Sequence, residues 1–171
     1  MKRKIIAALG LCLAAALAFT GCGSSGTAET AGKVPSQSEV SIANGIVACD
    51  GHAALAEKLG FDVAQLDYLP FDAYSTEYYS YWDEMAQINY HCEDRSVTFR
   101  QARGSDDISG DYNNYADELT VEINAAEVTL RGADDAYSVA VWEKNGFSFA
   151  ISCSPALSQD DLRSIIEHIE Y

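Results

Sequence analysis

From Ala86 to Ile151 apolar residues recur at every second position in six separate runs. Side chains on a β-strand alternate between its two faces, so each run reads as a half-buried strand. The runs are Ala86, Ile88, Tyr90 and Cys92; Val97 and Phe99; Leu119, Val121 and Ile123; Val128 and Leu130; Val139 and Val141; and Phe147, Phe149 and Ile151. Glu93-Asp94-Arg95, Ala125-Ala126 and Lys144-Asn145-Gly146 separate neighbours, and Asn-Gly is the strongest short hairpin signal. The period becomes helical at both ends. Asp50 is the candidate cap of a short helix whose apolar side is Ala53, Leu55, Ala56 and Leu59, and Gly60 suits the left-handed closing position. Ser158-Gln159-Asp160-Asp161 resembles a capping box, followed by Leu162, Ile165, Ile166 and Ile169 at helical spacing. The expected fold is α+β: a roughly six-stranded antiparallel meander sheet with an N-terminal and a C-terminal helix packed on one face.

The first 44 residues have neither pattern. Lys2, Arg3 and Lys4 precede an apolar run from Ile5 to Phe19, which ends in Phe19-Thr20-Gly21-Cys22. The run is of signal-peptide length, too short to span a membrane comfortably. The stretch resembles a bacterial lipoprotein signal, which implies cleavage before Cys22 and a lipid on that cysteine. Residues 23–44 are rich in Gly, Ser, Thr and Ala and read as a flexible tether reaching about 25 Å. The expected organisation is a signal peptide over 1–21, lipidated Cys22 and tether over 22–44, and one domain over 45–171. The expected address is the extracytoplasmic face of the cell membrane, with the lipid on Cys22 as the attachment.

Charge removes one class of partner. The formal charge is -15, and loss of three basic and no acidic residues with the signal takes it to -18. Nucleic-acid binding needs lysines and arginines to displace counterions, so no nucleic acid is expected. The same excess repels anionic headgroups and leaves membrane attachment to the lipid.

The sites that could carry chemistry have plain structural alternatives. Asp107, Ser109, Asp111, Asn113 and Glu118 occupy positions 1, 3, 5, 7 and 12 of a calcium-type loop. The glycine is at position 4, however, and Tyr112 stands where the sharp turn is needed, so no metal is expected. The preferred reading is a loop whose Asp, Ser and Asn side chains bond local backbone amides. Cys49, Cys92 and Cys153 lack zinc-site spacing. A Cys92 to Cys153 disulfide and buried thiols acting as small hydrophobes both remain open. His91 and Cys92 are adjacent and so point to opposite faces of a strand, while His52 near Cys49 has no motif around it. No Gly-x-Ser-x-Gly elbow, phosphate loop or zincin helix occurs, so neither enzymatic activity nor a cofactor is expected. The aromatic segment from Tyr68 to Trp82 is denser than a core requires. The preferred reading is cross-strand pairs that cover the sheet, and the other is a binding surface, for which Tyr74, Tyr78, Tyr79, Tyr81 and Trp82 are the candidate binding residues. On a strand from Thr76 to Trp82, Tyr79 and Tyr81 share one face, and Tyr78 and Trp82 the other.

Ala56-Glu57-Lys58-Leu59-Gly60-Phe61, Gln87-Ile88-Asn89-Tyr90, Val97-Thr98-Phe99-Arg100, Ile108-Ser109-Gly110-Asp111-Tyr112-Asn113 and Val128-Thr129-Leu130-Arg131-Gly132 together resemble a domain-of-unknown-function family. Its members are secreted lipoproteins of Gram-positive bacteria and the outer parts of anti-sigma-factor-like membrane proteins. The resemblance implies no catalytic residue, cofactor or substrate. Two functions follow as expectations. The first is a tethered, non-enzymatic interaction or sensor module with a cell-envelope protein partner. The second is a lipoprotein that binds a small ligand or glycan through the Tyr-rich segment.

Overall fold

The computed structural model describes residues 45–171, so the signal, Cys22 and the tether lie outside the described residues. The chain runs β1 (Ile46–Cys49), α1 (His52–Leu59), β2 (Gln65–Leu66), β3 (Ser75–Tyr81), β4 (Met85–Cys92), β5 (Arg95–Arg103), β6 (Asp117–Ile123), β7 (Ala126–Ala133), β8 (Ala136–Lys144), β9 (Phe147–Ser158), α2 (Gln159–Glu167) and β10 (Ile169–Glu170). Eight strands form one antiparallel sheet in the order β1-β3-β4-β5-β9-β8-β7-β6, and β2 pairs with β10 apart from it.

This corrects the six-stranded α+β meander. The six alternating runs are strands, β4 to β9, but β1 and β3 extend the sheet and the helices are only eight and nine residues long. The domain is mostly β. Nor is the order sequential: β5 pairs with β9 instead of β6. The cause is the 104–116 segment, which carries the chain off the edge of β5. The nine residues of β5 are left open to the long β9, and Phe99 stands opposite Ile151. The turn placed at Ala125-Ala126 is Asn124-Ala125, with φ of 50 and 61 as a two-residue hairpin of primed type requires.

Alternation sorts the sheet into two faces. Ile88, Phe99, Ile151, Ala140 and Leu130 stand side by side on one face and are fully buried. Leu55 of α1 and Leu162, Ile165 and Ile166 of α2 join the same core. Ser158 caps α2 as expected, its hydroxyl accepting from the Asp161 amide at 3.1 Å. Ile169, read as the last residue of that helical stripe, is buried instead in β10 opposite Leu66. α1 differs at its start, because its N-cap is Gly51 rather than Asp50, with no side-chain cap; Gly60 closes it in the left-handed conformation.

The segment after α1 is tied to the sheet end. Gln101 is buried on the core face, accepts from the Ala64 amide at 2.7 Å and donates to the Asp62 carbonyl at 3.1 Å. His52 Nε2 is 2.7 Å from the Val63 carbonyl. These bonds set Phe61 beside Phe147, with ring centroids 5.1 Å apart.

The 104–116 segment crosses the opposite face. Arg100 donates to the Ile108 and Ser109 carbonyls and to Gln87 Oε1, and Arg131 pairs with Asp107. Within the segment the Ser109 amide donates to Asp107, the Asp111 amide to Ser109 and the Asn113 amide to Asp111, each two residues back. This is the locally bonded loop that the spacing of its side chains predicts.

Candidate binding groove at the end of the sheet

Five pieces of chain meet at one end of the sheet: the close of α1, the β3–β4 turn, the end of β5, the β8–β9 hairpin and Tyr171. They border two adjoining hollows. One, of about 350 Å³, is walled by Phe61, Phe147, Phe149 and Tyr171, with Arg103 and Lys144 on it. The other, of about 520 Å³, has Leu59, Tyr81, Trp82 and Met85 on its walls. Phe61 and Arg103 border both, so the two hollows share a wall and are together called the groove.

The rings are held by one another. Trp142 Nε1 donates to the Tyr171 hydroxyl at 3.1 Å, and Phe149 lies edge-on to Tyr171 and stacked on Trp142. Burial pushes the Tyr171 phenol up, so it stays neutral around pH 7. Trp82 is positioned differently. It occupies the first turn position after β3 with φ of 57, a left-handed conformation that a bulky side chain adopts only under strain. Its amide donates to the Gly45 carbonyl, and its ring lies so close to Gly45 that an added β-carbon would be 2.0 Å from it. The indole is nevertheless 66% exposed. Asn124-Ala125 and Asp134-Asp135 hold the same left-handed pair in their hairpins, so the conformation belongs to the turn and Trp82 is set apart by its bulk.

Of the five residues expected to bind, the groove takes two, Tyr81 and Trp82. Tyr78 turns to the core and packs against it half-buried. Tyr79 lies on the opposite face and donates to Glu77 at 3.2 Å. Tyr74, 69% exposed, precedes β3 at the far end of the strand. The pairing of Tyr78 with Trp82 on one face is therefore corrected, because the chain leaves the strand at Tyr81 and the turn redirects the indole. The sequence reading missed Phe61, Arg103, Lys144 and Tyr171, and it took Phe147 and Phe149 for the buried face of a strand. The available signal was a lysine and two phenylalanines around the Asn-Gly hairpin.

The remaining polar clusters are satisfied in place. All three described cysteines are free thiols, so there is no Cys92 to Cys153 bond. Burial raises the Cys153 thiol to about 12, which leaves it without thiolate at neutral pH. His91 faces Glu77 at 3.5 Å, and His168 Nδ1 lies 2.7 Å from the Ser164 carbonyl. Among the described residues no histidine bonds a cysteine or serine side chain, and no three His, Cys, Asp or Glu converge as a metal site. Burial pushes the Asp107 carboxyl up, but bonds from Ser109 and Arg131 outweigh it and hold it below the usual range. Asp111 is also lowered, first by the Asn113 amide. No described helix is long and apolar enough to cross a membrane.

No family model, curated protein or solved structure matches the chain. Geometry is therefore the ground on which its function is read.

Proposed function

We propose that the chain is a ligand-binding lipoprotein without catalytic activity, held outside the membrane by a lipid on Cys22, whose binding site is the groove at the end of its sheet. The observation that supports this most is the position of Trp82. A bulky residue in a left-handed conformation is displayed, two-thirds exposed, at the wall of a concavity that it shares with Phe61, Tyr81 and Met85 and with the carboxylates Asp83, Glu84 and Asp106. Asn or Gly would hold the same turn at lower cost, so the indole is retained for what it contacts. Concavity favours a small ligand over a broad protein face, since pockets of this size enclose most of a small molecule. The separate tethering of each histidine and the buried thiol of Cys153 support the non-enzymatic part of this reading.

Native mass spectrometry of the protein purified from its own membranes tests both halves. The expected result is acyl mass on Cys22 together with a small-molecule adduct that is lost in Phe147→Ala. Membrane-bound protein with an unmodified Cys22 contradicts the address, and an adduct that survives Phe147→Ala contradicts the site.

A further inference from the structure

The seven basic residues of 45–171 are outnumbered more than three to one by acidic ones, and most are bonded elsewhere. Lys58 pairs with Asp83, Arg131 with Asp107 and Arg163 with Glu167, while Arg100 is bonded to Gln87 and two carbonyls. Arg95 is exposed at the start of β5, whereas Arg103 and Lys144 border a hollow. The Arg103 guanidinium lies beside the Phe61–Phe147 pair, 5.2 Å from each centroid, and makes one long bond of 3.4 Å to the Gly60 carbonyl. Lys144 Nζ is 4.0 Å from the Tyr171 ring centroid. Neither has a carboxylate partner among the described residues, and both border the same 350 Å³ hollow.

We infer that this hollow is a subsite for a small organic anion whose apolar, ring-sized body lies among Phe61, Phe147 and Phe149 while its negative group meets Arg103 and Lys144. The inference rests on the groove being the binding site and adds the chemical class of the ligand. An arginine bonded to one carbonyl keeps most of its five donors for a ligand, and ring contacts orient it without neutralising it. Lys144 adds a mobile point charge at the rim. In a chain of strong negative charge, two cations left beside apolar walls are complementary to an amphipathic anion. Asp62 and Asn145 also border the hollow. The Asp62 carboxylate disfavours a second negative charge nearby, so the subsite takes a monoanion in preference to a dianion.

The test uses the chain from residue 22 with Cys22→Ala, which carries no lipid and needs no detergent. The probes are 1-anilinonaphthalene-8-sulfonate and its neutral counterpart N-phenyl-1-naphthylamine, the same rings without the sulfonate, followed by fluorescence. The sulfonate should bind saturably at one site. Lys144→Gln and Arg103→Gln should each weaken it about tenfold, as loss of a charge-assisted bond does, and leave the neutral probe within about threefold. Lys144→Arg, which keeps the charge, should retain sulfonate binding and shows that the Gln variants act through charge rather than misfolding. Equal binding of both probes, unchanged in Lys144→Gln, overturns the anion subsite while the groove stands. Failure of both probes to bind overturns the groove and the subsite together.

Discussion

Arg100 and Arg103 are three residues apart on β5 and belong to two regions that use charge in opposite ways. Arg100, on the face crossed by 104–116, is bonded to Gln87 and to two loop carbonyls. Arg103, at the groove, lies against a pair of touching rings and has one long bond. The loop is the more conspicuous in sequence, yet its side chains are bonded to its own amides, to Arg131 and to Tyr115. The groove has no motif, yet it leaves cations without counter-ions. The difference teaches that a cluster of chemistry-bearing residues marks a site only when its bonding capacity is left over after folding.

The largest effect should come from Arg100→Ala. It strips a donor from two carbonyls and from Gln87, and hydrogen bonds to charged groups contribute about 1.5 to 3 kcal/mol, so the expected loss is about 2 to 4 kcal/mol. The urea midpoint measures it. Arg100 also lies over the Tyr81 ring and holds Ile108, which borders the Trp82 hollow, so binding should be unaffected only in the hollow of Arg103 and Lys144. A midpoint equal to the parent's would mean that the loop is not latched as described.

Acid separates the regions next. The Asp107 and Asp111 carboxyls are lower in the folded state than in the unfolded one. Their contribution is therefore complete above the ordinary carboxylate value, about 3.9, and is lost as pH falls through the depressed folded values. Between pH 5 and pH 2 Asp107→Asn should lose less stability than the parent. Parallel pH profiles would show that the Asp107 pairing contributes nothing to the fold.

At the groove the signs change. Trp82→Asn relieves a left-handed backbone and should raise stability by about 0.5 to 1 kcal/mol while weakening binding of the sulfonate probe. A destabilised variant that binds normally would reverse the assignment of strain to function. Arg103→Gln should cost only about 0.5 kcal/mol by denaturant unfolding, the worth of exposed cation–ring contacts. A loss as large as that of Arg100→Ala would make Arg103 a second fastener and erase the comparison.

Much of the architecture was legible because its cause is local. Alternation placed β4 to β9, Asn145-Gly146 marked a hairpin, Ser158 capped α2, and the two-residue spacing from Asp107 to Asn113 indicated local bonding. The sheet order was not legible. Pairing of β5 with β9 joins residues about fifty positions apart and leaves no periodic trace. β1 has four residues and mostly exposed side chains, too few for a pattern. The groove is hidden for the same reason: it gathers Phe61, Arg103, Phe147 and Tyr171 from across the domain. Only Tyr81 and Trp82 of the Tyr-rich segment reach it, because composition shows where aromatics are dense and not which way the β3–β4 turn directs them.

The account is tested most directly by photocrosslinking in intact cells, with p-benzoylphenylalanine placed in turn at Trp82 in the groove and at Tyr112 on the loop, where the side chain is 95% exposed. Mass spectrometry of the recovered protein should find a small-molecule adduct from position 82, reduced by Lys144→Gln, and none from position 112. Adducts from position 112 with none from position 82 would contradict it and make the loop the functional surface.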